Sequence, residues 1–390
     1  MEIGELVSVA PPAPPPPPDT EFAAELVSVT FKSGVKTSHA QAEVTPPHWE
    51  AGKEAAIEDD WTDMAKKLGL PAAPYSKRAA VYLIKGAAGA RYDVEVKVKV
   101  TKSKNVSGDG KLLGNFNGLS IEGTCPTGAG EHTVVAKITE PPETIQSYRG
   151  KIGWGIEVDA ASLSVELGTT LAEIYFILGK PTAPYSADGV WAEVLRFLCG
   201  KVGVVGESDG KNVGAKVTAF CHGSHGLRYD TKKGASHYGV GPLGGAFDLK
   251  DYIQRLTPLC NCYDQAAAVQ ALSGALGVPV GWCYLNPFGF IKTTNLVGVG
   301  ECNNPFFGLD DSKKLVAVDS PARTAFGNHA FASAPSSNIL DACAGPHTGT
   351  ESRDQYVTAS IDDTPSLYGD GFRAGTASDI VPGSGVTGVQ

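Results

Sequence analysis

The sequence contains few of the features that mark disulfide-rich, metal-binding or nucleotide-binding proteins. Its 390 residues include eight cysteines, which is too few for a disulfide scaffold. There is no Cys-x-x-Cys pair, and the Cys-x-Cys of Cys260 and Cys262 is a weak zinc signal. The glycine-rich stretch 234–245 lacks the Gly-Lys-Ser/Thr ending of a phosphate-binding loop. We therefore expect neither a metal nor another cofactor.

Charge and hydropathy argue against two further kinds of partner. The formal net charge is −9, from 33 basic and 42 acidic residues, which disfavours a broad surface for nucleic acid or anionic lipid. No apolar run reaches the roughly 20 residues that a membrane-spanning helix needs. The N-terminus has no basic and apolar signal-peptide pattern, so we expect a cytoplasmic protein or one exported without a cleavable signal. The composition leaves the oligomeric state open.

Glycine and proline, by contrast, are abundant. The chain has 47 glycines and 26 prolines, which favours a β-rich or mixed architecture with many turns. The proline run 10–18 predicts a stiff polyproline II segment inside a flexible N-terminal region, residues 1–22. The length is sufficient for two or three domains.

Residues 23–182 carry mainly strand signals. The stretch 92–100 alternates apolar and charged side chains, as a half-buried strand should, and clusters of Gly, Asn, Asp and Pro separate it from similar stretches. We interpret this region as one or two antiparallel sandwich units of immunoglobulin-like type, interrupted by a short helix at 61–68.

The pattern changes near residue 183, where helical periodicity appears. We assign 183–374 to an α+β domain, with a central helix followed by strands at 282–285, 314–318, 326–331 and 338–341. The last stretch, 375–390, is rich in Gly, Ser and Thr, and we expect it to be disordered.

The central helix has clear start and stop signals. Asn261 is a good N-cap, which places Cys262 in the first turn, and Gly277 with Pro279 ends the helix. Unpaired amide groups and the helix dipole at an N-terminus favour a thiolate, so Cys262 is a candidate nucleophile. A buried structural cysteine is the alternative interpretation. Asp264 is interpreted as a capping residue.

A thiol nucleophile needs a base and a group that orients the base. His329 lies in a predicted strand, and Asp341 ends the apolar run of the next one. Adjacent antiparallel strands would bring the carboxylate to the imidazole, and a buried carboxylate needs such a partner. The ordered set of cysteine on a helix, histidine on a strand and aspartate on a strand is more specific than any member alone.

These residues resemble the transglutaminase-like branch of the papain-like cysteine enzymes over roughly the C-terminal half of the chain. The matching positions are Cys262-Tyr263 with Ala266, Gly277-Val278-Pro279, His329 with Phe331, and Asp341-Ala342-Cys343. The chain departs from the family at Phe331, where tryptophan is usual, at Cys343, where threonine is usual, and in lacking an arginine after the Gly-Val-Pro turn.

The resemblance implies a catalytic triad of Cys262, His329 and Asp341. It also implies an oxyanion site formed by the backbone amide of Cys262 with an upstream side chain, for which Gln254 and Asn261 are the candidates. Trp282 and Phe288 are candidates for lining a substrate cleft, although aromatic side chains more often belong to a core.

The implied function is attack on an amide of a protein or peptide substrate through a cysteinyl thioester. We expect hydrolysis, as by a cysteine peptidase or amidase, because no calcium-loop spacing is present. A protein-glutamine transglutaminase or deamidase uses the same triad, and the domain layout also fits a delivered bacterial effector. In a hypothesis of another class, the chain is a non-enzymatic β-sandwich binding or assembly protein on a transglutaminase-like scaffold.

Overall fold

The computed structural model describes residues 19–38, 47–53, 59–71, 75, 78–158, 162–185, 189–369 and 371–390. The proline run and most of the predicted flexible segment 1–22 lie outside these residues. The described residues form an α+β structure that contains one large sheet, one five-stranded sheet and six α-helices. None of the helices among them is long and apolar enough to cross a membrane.

The first half of the chain forms a single nine-stranded sheet. Its order is β3-β1-β5-β8-β7-β6-β9-β10-β4, and β4 and β10 form its one parallel pair. The strands are β1 (Glu21–Phe31), β3 (His48–Glu50), β4 (Ala80–Leu83), β5 (Asp93–Lys104), β6 (Asp109–Phe116), β7 (Leu119–Pro126), β8 (Gly130–Ile138), β9 (Gln146–Val158) and β10 (Leu163–Ile177). β1 also contacts β10, far from it in the order, so the sheet curls.

This sheet confirms the predicted strands but not the predicted sandwich of two separate sheets. In β5 the residues Val94, Val96 and Val98 are buried while Lys97 and Lys99 are exposed, as the alternation indicated. The alternation identifies the buried face of a strand and does not report how many sheets share that face. Here the curled sheet covers its own apolar face, so the immunoglobulin-like interpretation is not supported.

The second half of the chain surrounds α5, the predicted central helix. Its helices are α2 (Ala192–Phe197), α3 (Gly210–Ala219), α4 (Leu249–Gln254), α5 (Cys262–Ala275) and α6 (Arg353–Ser360), whereas α1 (Asp59–Leu68) belongs to the first half of the chain. Every residue of α5 except Tyr263 is buried, so the helix is enclosed on all sides. Gly277 follows the helix with φ 82°, and a Cβ there would lie 2.4 Å from the Gly179 carbonyl group, so only glycine fits this turn.

A five-stranded antiparallel sheet packs against α5. Its order is β21-β20-β19-β15-β23, and β19 contacts α5 most extensively, with smaller contacts from β15 and β20. The strands are β15 (Gly281–Leu285), β19 (His329–Ser333), β20 (Ile339–Asp341), β21 (His347–Thr348) and β23 (Ile380–Pro382). The shorter paired strands are β2 (Thr37–Ser38), β11 (Val190–Trp191), β12 (Arg228–Tyr229), β13 (Gly244–Phe247), β14 (Leu259–Cys260), β16 (Phe290–Ile291), β17 (Thr294–Leu296), β18 (Gly300–Cys302), β22 (Ile361–Asp362) and β24 (Gly385–Val389).

Two predictions for this half were wrong. Residues 314–318 form an irregular loop, because the side chain of Asn303 bonds both the N–H and the carbonyl oxygen of Val316 and replaces a neighbouring strand. The C-terminal stretch is also ordered: β23 pairs with β15, and β24 pairs with β13. The few apolar residues of this stretch are enough to anchor it in the core, since Ile380 and Val386 are both buried.

Candidate active site

The N-terminus of α5 is held by a reciprocal capping box. The Asn261 side chain accepts hydrogen bonds from the amides of Tyr263 and Asp264, and the Asp264 carboxylate accepts one from the amide of Asn261 at 3.0 Å. Asp264 also accepts hydrogen bonds from the Ser236 hydroxyl at 2.6 Å and the His237 amide at 3.0 Å. Asp264 is therefore a capping residue, as predicted, and it fixes the glycine-rich loop against the helix.

This cap leaves one amide of the first turn without a partner. Cys262 is the first residue of α5, and its N–H has no acceptor among the described residues because Asn261 satisfies the next two amides. The Cys262 residue is 4% exposed. A thiol at this position lies beside a free N–H donor and the positive end of the helix dipole.

His329 and Asp341 form a buried hydrogen-bonded pair. The register Ala332↔Leu340 between β19 and β20 places Asp341 diagonally across from His329 on one face of the sheet. The His329 Nε2–H donates to Asp341 Oδ2 at 2.8 Å, since a carboxylate can only accept. This bond assigns the tautomer and leaves Nδ1 as the other functional nitrogen.

The second ring nitrogen of His329 is the one available to Cys262. Nδ1 has no aligned hydrogen-bond partner in the described part of the chain. Burial disfavours the charged ring, but Asp341 and then Cys262 outweigh burial and raise the pKa of His329 to about 10. The thiol therefore interacts with the imidazole, although the thiol and Nδ1 form no hydrogen bond of good geometry. Catalytic hydrogen bonds are often long or poorly aligned before substrate binds.

Asp341 accepts hydrogen bonds at both carboxylate oxygens. Oδ1 accepts from the amides of Cys343 at 2.7 Å and Ala344 at 3.3 Å, and Oδ2 accepts from the Tyr356 hydroxyl at 2.9 Å as well as from His329. Burial favours the neutral acid, but His329 and these donors outweigh burial and lower the pKa of Asp341 to about 2. The carboxylate is therefore ionised and fixed in direction.

Aromatic rings enclose the imidazole of His329. Ring centroids of Phe288 and Phe326 lie 5.2 Å from it, and that of Phe331 lies 5.9 Å away. Phe288 is fully buried and thus packs behind His329, which corrects its assignment to a cleft wall. Trp282 is 3% exposed and its indole N–H donates to the Pro242 carbonyl at 2.9 Å, so it too is a core residue.

Of the two side chains predicted to bind the oxyanion, that of Asn261 is already engaged in other hydrogen bonds. Asn261 uses its carbonyl oxygen in the cap, and its amide group donates to the Gly234 carbonyl at 3.0 Å. Gln254 is the last residue of α4, and its side chain makes no hydrogen bond within the described residues. The sequence showed that Asn261 was polar and upstream of Cys262, but it did not show that the helix cap and the Gly234 carbonyl engage its side chain.

Tyr229 is a candidate that the sequence reasoning missed. β12 runs parallel to β14 with Tyr229 opposite Cys260, two residues before Cys262. A Cβ on Gly234 would lie 3.3 Å from the Tyr229 hydroxyl, which puts this hydroxyl at the loop that Asn261 holds. Burial, followed by Cys262, raises the pKa of Tyr229, so the hydroxyl keeps its proton. It has no hydrogen-bond partner among the described residues, and no sequence motif marks it.

The described residues contain no metal site, and two comparisons with known proteins find no match. Among the described residues, no group of three His, Cys, Asp or Glu side chains could hold a metal ion. No protein-family model matches the chain. No curated protein matches it either.

A transglutaminase from red sea bream is among the solved structures similar to this chain, with 12% sequence identity and a TM-score of 0.36. The match covers 76% of this chain and 55% of that one, so this chain spans about half the length of its structural neighbour. A likeness at this level bears on neither the fold nor the chemistry, which have to be inferred from the residues.

Proposed function

We propose that this chain is a thiol enzyme of the transglutaminase-like kind, with Cys262 as nucleophile, His329 as general base and acid, and Asp341 as the orienting carboxylate. The observation that supports it most is the 2.8 Å bond from His329 Nε2 to Asp341, which leaves Nδ1 for the thiol at the start of α5. The bond joins two residues twelve apart in the chain into one buried pair, and Cys262 is among the groups that raise the pKa of His329. A cysteine, histidine and carboxylate in this order suit acyl transfer through a thioester.

The reaction begins with attack on an amide carbonyl. The Cys262 sulfur forms a bond to the carbonyl carbon, and His329 holds the thiol proton as imidazolium. The donors that we assign to the negative oxygen are the Cys262 N–H at the start of α5 and the protonated Tyr229 hydroxyl. When the carbon–nitrogen bond breaks, His329 gives its proton to the leaving amine and a thioester remains.

We favour hydrolysis, in which water attacks the cysteinyl thioester. His329 takes a proton from water, the new carbon–oxygen bond displaces the thiolate, and a carboxylic acid leaves. The substrate is then a peptide bond or a side-chain amide, and the enzyme is a peptidase or amidase. An amine in place of water would give a cross-link with the same residues.

A single incubation separates these outcomes. A glutamine-containing protein is incubated with the full chain, with and without a primary amine, and its mass is measured. Shortened chains indicate a peptidase, conversion of side-chain amide to acid indicates a deamidase, and an amine adduct indicates a transglutaminase. The control variants are Cys262→Ala, which should abolish any product, and Cys125→Ala in β7, which should not. An unchanged substrate, or product from Cys262→Ala, contradicts the proposal.

A further inference from the structure

Tyr356 reaches the site from an element that the proposed chemistry does not use. It lies on α6, whose own N-terminus carries a capping box of Ser352 and Gln355. Arg353 in the same helix donates to the carbonyl oxygen of Ile380 in β23 at 3.3 Å. α6 is therefore held in place by contacts of its own, independently of α5.

The hydroxyl of Tyr356 meets the same carboxylate oxygen that holds His329. It donates to Asp341 Oδ2 at 2.9 Å, while His329 Nε2 donates to that atom at 2.8 Å. Tyr356 is fully buried, and its ring packs between Phe331 at 4.7 Å and His347 at 4.8 Å. The hydroxyl has little freedom to turn away, and burial and Asp341 raise the pKa of Tyr356, so it stays a donor.

We infer that Tyr356 is a positioning residue, which fixes Oδ2 of Asp341 so that this oxygen orients His329 toward Cys262. The inference rests on the proposed function. The two amide donors to Oδ1 hold one end of the carboxylate, and Tyr356 holds the end that faces the imidazole. Without the hydroxyl, Oδ2 loses its second donor inside the protein, where an unshared carboxylate lone pair is costly.

Tyr252 offers a matched control. It is also fully buried on a helix, and its hydroxyl also donates a hydrogen bond of 2.9 Å, to the side chain of Gln265. Tyr252→Phe and Tyr356→Phe therefore remove the same atom from equally buried sites and keep the ring packing. They differ in that the bond of Tyr356 ends on the proposed catalytic carboxylate.

The test is a double-mutant cycle with Asp341. The rate of Cys262 alkylation by iodoacetamide near neutral pH is measured by peptide mass spectrometry, and the release of nitrophenolate from p-nitrophenyl acetate provides kcat and KM. We expect Tyr356→Phe to lower both the alkylation rate and kcat about tenfold with KM unchanged, the effect of losing one hydrogen bond to a charged group. In the Asp341→Asn background, the same change should add nothing, because its effect passes through the carboxylate.

The other outcomes separate two kinds of failure. A Tyr356→Phe rate equal to that of Tyr252→Phe, or an equal loss in the Asp341→Asn background, overturns the positioning role alone. A wild-type Cys262 no more reactive than the other cysteines overturns the proposed function and the inference with it. Circular dichroism of each variant checks folding. If Tyr356→Phe does not fold, imidazole NMR of the wild type decides: a slowly exchanging His329 Nε2 proton supports a fixed Oδ2, and a rapidly exchanging one contradicts it.

Discussion

The hydroxyl of Tyr263 donates to Asn328 Oδ1 at 2.6 Å. Tyr263 follows the proposed nucleophile and Asn328 precedes the proposed base, so this bond joins α5 to β19 beside both reacting groups. It links the first turn of α5 to the residue that immediately precedes β19.

Loss of this link should loosen the thiol–imidazole pair. We expect Tyr263→Phe to slow alkylation of Cys262 by iodoacetamide severalfold and to lower the free energy of unfolding by about 1 kcal/mol. Tyr92→Phe is the control, because the Tyr92 hydroxyl donates to the Ile84 carbonyl at 3.0 Å in the large sheet, away from α5. Equal alkylation rates in the two variants would show that the link does not position the site.

The pair of His329 and Asp341 should stabilise the fold in a defined pH window. The carboxylate's contribution is present above its ordinary pKa of 3.8 and is lost as the pH falls toward 2, because the folded pKa of Asp341 is about 2. The imidazolium's contribution is complete below 6.5 and is lost as the pH rises toward 10, since the folded pKa of His329 is about 10.

We therefore expect Asp341→Asn to lower the free energy of unfolding by about 3 kcal/mol between these limits. The loss should shrink toward both extremes of pH, and urea unfolding from acid to alkaline pH measures it. Asp109→Asn, at an exposed carboxylate in β6, should cost little at any pH. A cost for Asp341→Asn that does not vary with pH would mean that the pair is not ionised in the native state.

The cap of α5 should matter more than an ordinary helix cap. Asn261 is buried and also holds the Gly234 carbonyl, so Asn261→Ala should cost about 2 kcal/mol, the upper end for a cap. Ser352→Ala removes the exposed cap of α6 and should cost about 1 kcal/mol. Urea unfolding of both variants tests this order, and the reverse order would argue against the role of Asn261 in fixing the loop.

The ordered C-terminus can be tested with two valines of the same stretch. Val386 in β24 is buried, and its amide donates to Gln270 Oε1 at 2.8 Å, whereas Val381 in β23 is 45% exposed. Val386→Ala should cost about 2 kcal/mol, and Val381→Ala should change stability by no more than about 0.5 kcal/mol. Two equally small costs would indicate that this stretch does not pack on α5.

The parts of this structure that the sequence predicted are those set by local rules. Asn261 and Gly277 mark the ends of α5 because caps and positive φ angles have strong residue preferences. The meeting of His329 with Asp341 could be predicted from two neighbouring strands, whose antiparallel pairing brings close residues twelve apart in the chain.

The features that the sequence did not predict correctly depend on contacts between segments that are distant along the chain. Tyr229 and Tyr356 carry no motif, and their places follow from strand pairing and from the docking of α6. Residues 314–318 look like a strand, but Asn303 supplies the partners for their backbone. The single large sheet follows from the pairing of nine strands, which alternation within one strand does not specify.

The most direct measurement is the alkylation rate of each cysteine near neutral pH. Burial raises the pKa of the seven other thiols, those of Cys125, Cys199, Cys221, Cys260, Cys283, Cys302 and Cys343. The proposed site predicts that Cys262 reacts with iodoacetamide far faster than these seven and that His329→Ala removes the difference. A Cys262 that reacts no faster than the rest, or whose rate is unchanged in His329→Ala, would contradict a catalytic role.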